Sequence, residues 1–233
     1  MKKLNAITIF NIAFLVCCLI SDFCYLFIDA SEYITKTIAS SVFVIGGLVN
    51  LIYVLKNQYY YSEHKNFKWF MMIGLVFACM GDLFLIDFFE LGVIFFALGH
   101  VFYFISFCFV EKFKWKDLIY GGLLFVACAL VIFLYKGFEF NGMRPLILIY
   151  ALIISLMVGK TISNFIGNRT INNLILLVGS SMFFLSDLFL LFRLFASWGR
   201  IGSILCLVFY YPAQFVLALT ILLVSKSNVK GEK

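Results

Sequence analysis

Two aspartates stand inside long apolar runs of this sequence, Asp82 in Met80-Gly81-Asp82-Leu83-Phe84-Leu85 and Asp187 in Phe183-Phe184-Leu185-Ser186-Asp187-Leu188-Phe189-Leu190. His100 stands in a third run, with Tyr103 three residues on. Tyr210 and Gln214 lie four apart in a fourth, Tyr150 lies in a fifth, and Lys36 with Ser40 opens a sixth. Spacings of three and four put each pair on one face of a helix. Ionisable groups in such surroundings are costly and tend to mark function. Two carboxyls and an imidazole are the tools of general acid–base chemistry or of a proton relay. Each residue also has a plainer use. An aspartate near a helix end reaches water or pairs with Arg193 or Lys36, a single histidine hydrogen-bonds within a core, and tyrosines anchor at a membrane interface.

The rest of the sequence says what must position these groups. Of 233 residues, 64% are hydrophobic and 13% charged, where soluble domains run near ~45–50% and ~25%. A soluble fold this apolar would leave large greasy patches in water. That excludes a soluble enzyme, a nucleic-acid binder and a disordered chain. A membrane-spanning helix needs about 20 mostly apolar residues. Eight runs qualify, over 4–21, 34–55, 67–86, 91–110, 117–135, 144–163, 172–193 and 201–225. None alternates as a barrel strand would. The expectation is an all-α polytopic membrane protein, one transmembrane domain over residues 1–233, with no loop large enough for a soluble domain. The start, Met1-Lys2-Lys3 before an apolar run, is like a signal peptide, but no small-x-small cleavage site follows, so a retained first span is expected.

The net charge of +6 becomes a topology once it is sorted by junction. With the N-terminus inside, thirteen basic residues (Lys2, Lys3, Lys56, Lys65, Lys68, Lys112, Lys114, Lys116, Lys160, Arg169, Lys226, Lys230 and Lys233) fall inside. Five (Lys36, Lys136, Arg144, Arg193 and Arg200) fall outside. That bias predicts eight spans with both termini cytoplasmic. The expected location is a cell (inner) membrane. Asp22, Asp29, Glu32, Asp87 and Glu90 then lie at the outer boundary, and His64 in an inside loop.

Depth follows from the same sorting. Asp82 is 14 residues past Lys68, or ~21 Å at 1.5 Å per residue. Asp187 is 15 past Asn172, or ~22 Å by the same rise. His100 and Tyr210 each sit ten residues in from the outer face. Six helices thus bring a polar group to the outer half of one bundle. The Asp82 and Asp187 stretches also match each other, each with Gly eight residues before Asp-Leu-Phe-Leu, 105 residues apart. An offset of four spans gives two parallel four-helix halves. The seven cysteines lie mostly in apolar runs without a Cys-x-x-Cys pair and are read as small hydrophobes. With two histidines, one of them in a loop, no metal and no cofactor is expected.

Met80-Gly81-Asp82-Leu83-Phe84-Leu85 with Gly99-His100-Val101-Phe102-Tyr103 resembles the Gly-Asp and His-x-x-Tyr motifs of the YhhN family. Ser186-Asp187 resembles its Ser-Asp motif, and Tyr210-Tyr211-Pro212-Ala213-Gln214 its Tyr-Tyr-x-x-Gln motif. Tyr150 to Met157 fits its sixth-span pattern. Lys36 matches a lysine before the second span, although Thr37 stands where proline usually follows. The resemblance runs from about residue 34 to 220. It implies an eight-span fold and a lysoplasmalogenase, a hydrolase that cleaves the vinyl-ether bond of lysoplasmalogens to a fatty aldehyde and a glycerophospho-head group. It further implies Asp82 and Asp187 as the catalytic pair. His100, Tyr103, Tyr150, Tyr210 and Gln214 would support them, and Lys36 would meet the substrate phosphate. The expected partners are then a lysophospholipid and membrane lipids. A proton-coupled transporter using the same acidic residues is the alternative.

Overall fold

The computed structural model describes residues 6–28, 31–57 and 66–227. Lys2, Lys3, Asp29, His64, Lys65, Lys230 and Lys233 lie outside them. Eight helices follow in order: α1 (Ala6–Phe27), α2 (Glu32–Lys56), α3 (Phe67–Asp87), α4 (Phe89–Cys108), α5 (Trp115–Leu134), α6 (Arg144–Gly167), α7 (Ile171–Phe195) and α8 (Gly199–Ser227). No strand occurs among the described residues. Helices are what such runs must form, because in lipid each backbone N–H and C=O needs a partner within its own segment. Seven of the eight are long and apolar enough to cross a membrane, and α1 adds a shorter apolar stretch, Ala6–Ser21. The expected bounds hold to within a few residues except in α1, which runs past Asp22 to Phe27. The end carrying the α1–α2, α3–α4, α5–α6 and α7–α8 junctions, expected to face outward, is the upper end.

Close approach is built from small residues. Only Phe88, with φ −133° and ψ 74°, separates α3 from α4. A Cβ on Gly99 would lie 3.3 Å from the carbonyl oxygen of Gly74, so these two helices touch backbone to backbone. Gly121 of α5 and Gly159 of α6 meet in the same way. Small residues at such crossings let dispersion act over a long contact where no hydrophobic force operates between helices.

The two expected halves are visible in the packing. The neighbours α1·α2, α2·α3, α3·α4 and α2·α8 recur four helices later as α5·α6, α6·α7, α7·α8 and α6·α4. The correspondence reaches side chains. Asn11 of α1 and Asn50 of α2 are paired at 2.9 and 3.0 Å. At the equivalent place Asp117 of α5 and Lys160 of α6 form an ion pair at 2.8 Å, both side chains fully buried. Lys160 also donates to the Lys112 carbonyl at 3.0 Å, and Asp117 accepts from the Lys114 amide at 2.8 Å. The pair therefore locks the α4–α5 loop onto α6. Lys160 and Lys68 count toward the inside charge, yet both are buried, so neither is a solvated surface cation.

Removing one member of a buried pair strands the other charge, at a cost of about 3–5 kcal/mol. Lys160→Met should therefore lower the thermal midpoint in detergent markedly. Asp117→Asn combined with Lys160→Gln, an uncharged amide pair like Asn11–Asn50, should recover most of the loss. A single variant as stable as the wild type would show that the pair does not hold this loop.

Candidate functional site

The two carboxylates sit in matching cages. Asp82 Oδ2, on α3, accepts from Ser40 Oγ of α2 at 2.5 Å and from Tyr210 Oη of α8 at 2.7 Å. Asp187 Oδ2, on α7, accepts from Tyr150 Oη of α6 at 2.5 Å and lies 3.2 Å from His100 Nε2 of α4. Ser40 and Tyr150 are 110 residues apart, as are His100 and Tyr210. Each half thus gives its carboxylate one donor from within the half, and each carboxylate takes its second donor from the last helix of the other half. The cages are how a bilayer core tolerates a carboxyl: a polar group buried there is costly unless donors meet it.

The Asp187 cage is a closed triangle, since Tyr150 Oη also lies 2.8 Å from His100 Nε2. The phenol has one hydrogen, and it goes to Asp187. Nε2 must then carry the imidazole hydrogen and share it between the phenol and carboxylate oxygens. His100 is fully buried, and its Nδ1 has no hydrogen-bond partner among the described residues.

Phe183 links the cages. Its buried ring lies 4.7 Å from His100 and 5.3 Å from Tyr210, centroid to centroid, both edge-on. A run of contacts therefore leads from Asp82 through Tyr210, Phe183 and His100 to Asp187.

The Asp187 cage opens. Asp187 and Tyr150 line a chamber whose other walls are apolar residues of α3 to α7, among them Phe96, Cys128, Ile132, Ala151, Ile154 and Leu191. At its upper end the α5–α6 loop is strapped across, its Glu139 amide donating to the Phe195 carbonyl at 2.8 Å. Phe138 and Phe140 pack there against Phe192 and Phe195. Asp82, His100 and Tyr210 do not line the chamber.

The remaining expected residues fall as follows. Tyr103 and Gln214 are brought together, with the phenol donating to the amide oxygen at 2.8 Å. They bond each other and neither carboxylate. Lys36 was expected at an open rim, and the structure puts it elsewhere. It is 7% exposed, one turn before Ser40, within electrostatic range of Asp82 and outside the chamber wall. Helix α2 starts at Glu32, so Lys36 is already a turn inside. Residues that sequence reasoning missed are Phe183, whose type is too common here to stand out, and the chamber wall itself, which has no signature beyond being apolar.

Ser40 and Tyr210 share one acceptor, so their loss should not be additive. Ser40→Ala and Tyr210→Phe should each destabilise by about 1–3 kcal/mol. The double variant should cost more than the sum, because Asp82 Oδ2 then has neither hydroxyl donor. Thermal unfolding of the four proteins in detergent checks this, and simple additivity would refute the shared cage.

An all-helical bundle with seven membrane-length helices and two caged carboxyls in its upper half defines a polytopic membrane protein with a site in its core. The chain belongs to the YhhN family, whose model matches residues 33–221. No curated protein and no solved structure matches the chain.

Proposed function

We propose that the chain is a membrane-embedded lipid hydrolase of the lysoplasmalogenase type, with Asp187 as the group that meets the vinyl ether. The supporting observation is the pairing of one caged carboxyl and one phenol with an otherwise apolar chamber. A lipid chain suits such walls, and a polar solute does not.

Vinyl-ether hydrolysis starts with slow protonation of the alkenyl carbon beta to oxygen. The product is an oxocarbenium ion. Water adds to the adjacent carbon and loses a proton. The hemiacetal then collapses: its C–O bond to glycerol breaks as the glycerol oxygen is protonated, and its hydroxyl gives up a proton that restores the acid. One water is consumed, and one aldehyde and one alcohol are released. The reaction needs a positioned acid, a negative group near the cation and a base for water. In this reading Asp187 delivers the first proton and as carboxylate stabilises the cation, much as carboxyl groups serve glycosidases. Tyr150 and His100, both on Oδ2, fix the carboxyl, and the Asp187 carboxylate, which lines the chamber, takes up the proton of the attacking water and returns it to the glycerol oxygen. Asp82 is a positioning residue: it acts through Tyr210 and Phe183 on the His100 ring.

Purified variants followed by aldehyde release test this. Asp187→Asn should lose about 10³-fold or more in kcat, within the range of general acid catalysis. Asp82→Asn should lose up to about 10²-fold in kcat with KM nearly unchanged, as small displacements in a catalytic group do. Near-wild-type release by Asp187→Asn would overturn the assignment.

The chamber carries a separate expectation. Ala151→Trp should raise KM for long-chain substrate by tenfold or more while leaving the thermal midpoint within a few degrees. Unchanged KM would mean that the chain binds elsewhere.

A further inference from the structure

A lysophospholipid whose vinyl ether reaches Asp187 carries a phosphate that must sit somewhere polar, and the chamber offers no cation of its own. Five basic residues were expected at the upper end. Lys36 is buried near Asp82. Arg200 donates to the Leu26 carbonyl at 2.8 Å and lies over Phe27, on the α1 side of the bundle. Arg193 is turned toward α8, where its Cβ crowds Gly202. Lys136 is exposed on the α5–α6 loop.

Arg144 differs from all of these. It begins α6, and Ile147, Ala151 and Ile154, at the next helical positions on the same face, line the chamber. Its guanidinium lies 5.2 Å from the Phe140 ring centroid and 5.6 Å from that of Phe133. Phe140 packs at 5.2 Å on Phe195, itself a wall residue. Two rings therefore flank the guanidinium, which has no carboxylate partner among the described residues, and its planar fork of N–H donors suits a bidentate anionic acceptor.

The spacing fits a lysolipid. Arg144 and Tyr150 are six residues apart, about 9 Å along the helix axis. In a lysoplasmalogen, seven bonds separate the phosphorus from the vinyl carbon that is protonated, which is about 8 Å at roughly 1.2 Å of advance per bond in an extended chain. We infer that Arg144 binds the phosphate of an anionic or zwitterionic lysophospholipid beside the chamber's upper end, and so sets which bond of the lipid faces Asp187. The inference rests on the lipid reading above and adds the residue that measures the substrate.

The test uses a probe that cannot be cleaved. The full chain is placed in nanodiscs of uncharged lipid. Binding of a saturated 1-O-alkyl lysophospholipid is compared with that of the matching 1-O-alkylglycerol, which lacks the phosphate. The wild type should prefer the phosphate ligand by tenfold or more, and less so at high salt. Arg144→Gln should bind the two alike, with alkylglycerol affinity unchanged within about threefold. Arg144→Lys should restore part of the preference but not all of it, since an ammonium cannot make the bidentate contact. A wild-type preference in Arg144→Gln, or equal loss of both ligands, would overturn the assignment. So would displacement of the lysolipid by inorganic phosphate at matching concentration, which would reassign the site to free anions. Because no bond is broken, a retained phosphate preference beside a failed aldehyde assay would count against the hydrolase reading alone.

Discussion

A carboxyl in the hydrocarbon core cannot be left alone, and the architecture follows from that constraint. Asp82 draws donors from α2 and α8, and Asp187 from α4 and α6. Those four helices plus α3 and α7 make up the inner bundle, while α1 and α5 lean on it through their own polar pairs. Without water to compete, each such bond also excludes alternative registers, because a shift of one residue would strand the carboxyl. The same bonds that make the site thus hold the helices that carry it.

The fold has two similar halves and one unequal pair of sites. Both carboxyls keep two donors at equivalent places, and the second half opens a chamber beside its carboxyl whose wall does not include Asp82. The first half keeps a buried lysine, Lys36, within electrostatic range of its own. A doubled scaffold allows this: one copy holds the bundle together while the other is free to admit a ligand. Phe183 and Tyr210, lying edge to face, keep the two in contact.

Much of this was legible in the sequence, for a physical reason. Apolar runs the thickness of a bilayer have one stable form, so the eight helices and their bounds could be read off directly. Asp82, Asp187, His100, Tyr150 and Tyr210 stood out because polar groups are rare in such runs, and the structure gathers them into two cages. The Asp-Leu-Phe-Leu repeat likewise proved to mark the symmetry of the packing. What could not be read is rotation about the helix axes. Lys36 is buried where an exposed rim was expected, Tyr103 and Gln214 bond each other, and Lys160 finds Asp117 across two helices. Each outcome depends on which neighbour a face meets, and in a helix apolar on all sides no periodicity records that. The chamber was hidden for the same reason, as its walls differ from lipid-facing surface only in what stands opposite.

The Asp187 triangle has a stereochemical consequence. Tyr150 and His100 both contact the same oxygen, Oδ2, so the carboxyl is pinned on one side and approaches the chamber from a fixed direction. An alkene lying along the wall would meet that acid on one face only. Under the proposed reaction the new hydrogen beside the aldehyde carbon would therefore arrive with a single handedness, and in heavy water the two prochiral positions of that methylene would be labelled unequally.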